Sequence, residues 1–129
     1  MAAHRPISWS LERLSELHGD PTDEVYRRLF QQHPDYEQLF ALDRSGAIRG
    51  NMLAHVFAAL MDMEGPRSYG LNFFHTERVT HEGGLGVAPA AYADFLSIVR
   101  DTVRELLGPE WTSDADRAWR KALEEIAAR

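Results

Sequence analysis

The chain has 129 residues, six of them His and none Cys, with 14 Lys and Arg against 20 Asp and Glu. That length fits one compact domain, and such a chain buries roughly 65% of its unfolded surface, enough for one core without metal or disulfide staples. The net charge of −6 argues against a general nucleic-acid binder, which needs a basic footprint, and the missing Cys exclude a disulfide framework, a thiolate zinc site, an iron–sulfur cluster and a Cys nucleophile.

Behind the N-terminal Met-Ala-Ala-His-Arg-Pro there is no apolar core of signal-peptide length. Ile7, Leu11, Leu14 and Leu17 mark a first helix. A second opens at Asp20-Pro21-Thr22-Asp23 and runs through Val25, Tyr26, Leu29 and Phe30. Proline suits a first helical turn, where its missing N–H would be an orphan anyway. Breaks follow at His33-Pro34 and Arg44-Ser45-Gly46. Met52, Leu53, Val56, Phe57, Leu60 and Met61 then form a broad apolar face. The apolar stretch from Met52 to Met63 is too short for a membrane span and carries His55 and Asp62. A soluble, cytoplasmic protein is the expectation, with no membrane contact.

Gly65-Pro66 ends that helix. Gly83-Gly84-Leu85-Gly86 has neither a preceding strand nor a following Lys, so it reads as a helix-joining turn and not a phosphate loop. From Pro89 to Leu107 the apolar residues Tyr92, Phe95, Leu96, Val99, Val103, Leu106 and Leu107 fall in a 3,1,3,4,3,1 rhythm, one stripe of a long amphipathic helix. After Gly108-Pro109, the caps Thr112-Ser113-Asp114 open a last helix through Ala115, Trp119, Ala122, Leu123 and Ile126. No run alternates at period two, and no Asn-Gly or Asp-Gly turn occurs. The fold class expected is all-α, with about six or seven helices.

No nucleophile elbow, zinc-protease motif, P-loop or paired-carboxylate signature is present. Taken singly, the remaining candidates have plain structural readings. His81 suits a helix end, where imidazolium meets the dipole. Tyr26 is a core aromatic with its hydroxyl satisfied somewhere. Phe40, Met52 and Val56 face a core in any helical packing.

Order and spacing add a second reading. The passage Val25-Tyr26-Arg27-Arg28-Leu29-Phe30-Gln31-Gln32-His33-Pro34-Asp35-Tyr36-Glu37-Gln38-Leu39-Phe40 closely resembles the second and third helices of bacterial globins and of flavohaemoglobin haem domains. His81, followed by Leu85-Gly86-Val87-Ala88-Pro89 and Tyr92, is similar to the globin passage from the proximal His into the long G helix. Leu106-Leu107-Gly108-Pro109-Glu110-Trp111-Thr112 with Ala118-Trp119 looks like the globin G-to-H junction. The resemblance covers nearly all of the chain from about Val25 onward.

The resemblance implies a globin fold, a three-over-three helical sandwich. It makes residues 1–129 one globin domain, with 1–19 as an N-terminal helix and 20–129 holding the haem pocket. It implies haem b as cofactor, with His81 as the proximal iron ligand. The neutral imidazole would bind through one nitrogen while the other donates to a backbone carbonyl or carboxylate. Tyr26 would face the gas ligand, and Phe40 would hold the porphyrin by stacking. Met52 takes the distal position and Val56 lies over the iron one turn later. A rotation of about one residue would bring His55 toward the pocket instead. Val87, Tyr92 and Phe95 complete the expected cofactor-binding set, and the interval from His81 to Gly86 calls for a bulge or looser turn at Gly83-Gly84. His75 and Arg78 read as surface residues within reach of a haem propionate, and His4, His18 and His33 as exposed.

The function implied is reversible binding of O2 or another diatomic gas such as NO or CO. The alternatives are a globin-fold sensor or interaction module without haem, and an NO dioxygenase served by a separate reductase. No flavin or nicotinamide domain fits into 129 residues. A homodimer is a further expectation from the family.

Overall fold

A computed structural model describes residues 4–81 and 89–128. In chain order the helices are α1 (Pro6–His18), α2 (Thr22–Gln32), α3 (Ala47–Glu64), α4 (Gly70–Val79), α5 (Pro89–Leu107) and α6 (Ser113–Ala127). Two 3-10 segments, Pro34–Phe40 and Gly108–Glu110, link α2 to α3 and α5 to α6. No strand occurs among the described residues. The all-α expectation holds.

The helices form two layers. In one, α1 packs on α3 and α3 on α4; in the other, α2 packs on α5 and α5 on α6. Across the layers α1 meets α5 and α6, α2 meets α3, and α4 meets α6. This is the three-over-three arrangement. One core runs between the layers, with Trp119, Tyr26, Phe74, Ile7, Leu14, Leu53 and Leu60 among its fully buried side chains. Leu17 departs from the periodicity: it lies at the last turn of α1 and stays 42% exposed.

Several helices begin without a cap of their own and borrow a carboxylate. The four leading N–H groups of a helix need outside acceptors. For α1 these come from Glu64, at the far end of α3, which accepts from the N–H groups of Ile7 and Ser8, each at 2.8 Å. The backbone N–H groups of Ile48 and Arg49 in α3 donate to Asp43 at 3.1 and 3.0 Å. At the head of α4, Asp62 accepts from the N–H groups of Ser68, Tyr69 and Gly70 and from the Ser68 hydroxyl. Among the described helix starts, α2 and α6 are capped locally as expected, with Asp20 Oδ1 accepting from the Thr22 N–H at 3.0 Å and Thr112 Oγ1 accepting from the Ala115 N–H at 3.0 Å.

Among the described residues no helix is long and apolar enough to cross a membrane.

Candidate functional site

One cavity of about 350 Å3 opens between the two layers, walled by α2, the Pro34–Phe40 segment, α3, α4 with the turn after it, and α5. Its size falls within the range of small-molecule and cofactor pockets. Tyr26, Phe40, Met52, His55, Val56, His81, Tyr92 and Phe95 all line it. The structure therefore gathers every candidate site residue of the sequence except Val87, which lies outside the described residues, as does the expected bulge at Gly83-Gly84.

Helical periodicity explains the gathering. On α3, Met52, His55 and Val56 stand at i, i+3 and i+4, one face of the helix. Val56 is buried, Met52 half-buried and His55 exposed, the His55 ring meeting Phe73 edge-on at 6.5 Å. Met52 and His55 thus share the wall, with His55 at its more exposed side. On α5, Tyr92 and Phe95 are one turn apart, their rings 6.4 Å from one another. The α2 wall is Tyr26, whose ring lies 5.4 Å from Phe40 and 5.7 Å from Phe95.

His81 enters from beyond α4. After Val79 the helix continues through Thr80 and His81 as a wider, π-type turn. Such turns occur mostly as single interruptions, frequently at functional sites. His81 Nδ1 lies 2.7 Å from the backbone carbonyl oxygen of Glu77. A carbonyl only accepts, so Nδ1 carries the proton and donates it, which leaves the lone pair of the neutral ring on Nε2. The ring packs 5.3 Å from Tyr92. Burial pushes the Tyr92 phenol up from its ordinary pKa, and the charge of Glu77 adds to this. It stays protonated.

Across the cavity Tyr26 is 2% exposed, and its hydroxyl, closed off from water, has no hydrogen-bond partner among the described residues. Burial raises its pKa too, with a smaller downward pull from Arg49 and an upward push from Asp43. A buried donor left without an acceptor costs about 1–3 kcal/mol. No described residue satisfies it, against the plain reading of Tyr26 as a core aromatic with a settled hydroxyl.

Sequence reasoning missed Leu29, Tyr36, Leu39, Phe73, Glu77, Thr80 and Ala91, which also line the cavity. Two were within reach: Phe73 and Glu77 lie eight and four residues before His81, on the same helical face. His75 and Arg78 are absent from the lining; His75 is exposed and Arg78 half-buried. His4 and His18 are exposed, as expected. His33 corrects its expectation: it is half-buried, stacked 5.1 Å from Tyr36 and 3.2 Å from the Asp94 carboxylate of α5.

These residues fit a haem. They offer one imidazole with its lone-pair nitrogen free of the backbone contact, aromatic and aliphatic walls, and one unsatisfied hydroxyl donor in the same cavity. No group of three or more His, Cys, Asp or Glu among the described residues offers a metal site of another kind. A protein-family model described as Globin matches residues 23–129. No curated protein and no solved structure matches the chain.

Proposed function

The chain belongs to the globin family, and on that premise we propose that it is a haem protein of the bacterial single-domain type that binds O2 or a related diatomic gas, with His81 as the proximal ligand. When bound, haem b would supply the iron at which a diatomic gas binds. The chain's own part is to hold that group, orient its ligand and keep water away. His81 contributes the Nε2 lone pair, and the Glu77 carbonyl holds the ring through Nδ1–H. Phe40, Tyr92 and Phe95 provide aromatic surface for a flat apolar cofactor, and Met52 and Val56 provide aliphatic surface on the opposite helix. Tyr26 supplies the hydrogen bond to the partly negative atom of the gas, a bond worth more in this apolar setting than in water. With Met52 unable to donate, the polar work falls to Tyr26, with His55 the alternative donor. The cytoplasm is the compartment this reading expects.

The single observation that carries the reading is the orphaned Tyr26 hydroxyl in the same cavity as an imidazole whose Nδ1 proton is already committed. The test is haem content. Purified protein should carry a Soret band that follows it through gel filtration. His81→Ala should remove most of it, while His75→Ala and His33→Ala retain it. Unchanged haem in the His81 variant would overturn the assignment.

A further inference from the structure

Glu77 is used twice at His81, and only its carbonyl has a part in the reading above. Glu77 also lines the cavity, and a carboxylate oxygen of its side chain lies 3.6 Å from His81 Nδ1, the same nitrogen that donates to its backbone carbonyl. The spacing of four residues along α4 and its π-type extension sets both contacts. The side chain is only one-third exposed, so water screens the pair incompletely.

We infer that the Glu77 carboxylate is a tuning residue for the proximal ligand: it loads negative charge onto the His81 imidazole and so strengthens the donation of Nε2 to a bound iron. The inference rests on the haem reading. A backbone carbonyl alone fixes the ring; a nearby carboxylate also polarises its N–H bond and makes the ring a stronger electron donor. Partners of this kind tune the electronics of a metal held by histidine. A more electron-rich ligand favours the ferric over the ferrous state, which lowers the reduction potential. Tyr92 belongs to the same cluster. Its ring packs 5.3 Å from His81, and the charge of Glu77 reaches its phenol. The buried ring keeps this side of the imidazole dry, so the field of Glu77 is not dissipated there.

The experiment compares Glu77→Gln and Glu77→Asp with the parent protein, all loaded with haem. Gln keeps the backbone carbonyl and the side-chain volume and removes only the charge. The expected result is a shift of the ferric–ferrous equilibrium toward ferrous by tenfold or more, about 59 mV for one electron. The iron–histidine stretching frequency should fall in parallel. Glu77→Asp retains the charge and should lie between the two. Glu12→Gln removes an equal charge from an exposed position on α1 and should leave the potential unchanged.

A Glu77→Gln potential equal to that of the parent would overturn the inference, as would an equal shift from Glu12→Gln. The two readings fail separately. A parent protein that takes up no haem, or holds it without His81, defeats the proposed function; one that holds it through His81 with a potential indifferent to Glu77 defeats only this inference.

Discussion

At Tyr26 one hydroxyl makes two demands of opposite sign. Burial keeps the phenol protonated, and the described residues provide it with no acceptor. In the haem-free chain Tyr26→Phe removes an unpaid desolvation cost, so it should raise the unfolding free energy by about 1–3 kcal/mol in urea titrations. In the haem-loaded protein the same change would remove the proposed hydrogen bond to a partly charged atom, worth about 1.5–3 kcal/mol. The O2 off-rate should then rise roughly 10- to 150-fold in stopped flow. Carbon monoxide, less polar when bound, should respond far less. His55→Ala should barely alter either rate, because His55 stands at the exposed side of the wall against Phe73. The reverse pattern would make His55 the distal donor. Loss of apo stability in Tyr26→Phe would mean that the hydroxyl has an acceptor after all.

Helices here are held by carboxylates and one indole that reach between elements. Asp62 ends α3 and heads α4. Burial alone would push its carboxyl up, but the Tyr69, Gly70 and Ser68 N–H groups and the Ser68 hydroxyl outweigh it and bring the pKa down to about 2. A carboxyl depressed by folding contributes stability above its ordinary value of 3.8 and loses it as pH falls toward 2. Acid unfolding followed by circular dichroism should therefore be steep between pH 4 and 2. Asp62→Asn should be less stable at pH 7 and shallower over that limb. Gly70 allows the close approach that this capping needs, since a Cβ there would run into the Ala59 carbonyl oxygen and crowd Met63. Near the start of α1 the Trp119 indole N–H donates to Ser10 Oγ at 2.9 Å, and Ser10 donates onward to the Ile7 carbonyl at 2.7 Å. All of this is buried, so Ser10→Ala strands the indole and should cost about 1–3 kcal/mol by thermal denaturation. An unchanged melting temperature would show that α1 and α6 are held by apolar packing alone.

Across the whole molecule, what could be read in advance was what repeats along one helix. The stripes of α5 and α6 and the caps at Thr112 were legible because period and cap are local properties. Met52, His55 and Val56 were legible as one face, though not which of them stands deeper, since that is set by the rotation of α3 against α2 and α4. The borrowed caps Asp43, Asp62 and Glu64 were not legible: Glu64 caps a helix whose first residues precede it by more than fifty positions. Nor was the π-type turn at Thr80 and His81, since nothing periodic in the sequence marks that change of helical pitch. The same long-range dependence bears on stability. The cavity of about 350 Å3 is walled by five separate segments, so a haem that binds it braces both layers at once and binds the native state alone. Free haem at a thousand times its dissociation constant should add about 4.1 kcal/mol. For a chain of this size that raises the melting temperature by roughly 12–20 °C. Calorimetry of the haem-free protein with and without added haem measures the shift, and in His81→Ala it should collapse to a few degrees. Equal melting temperatures for the parent with and without haem would mean that the cavity is not where haem binds, and the case built on Tyr26 and His81 would fall with it.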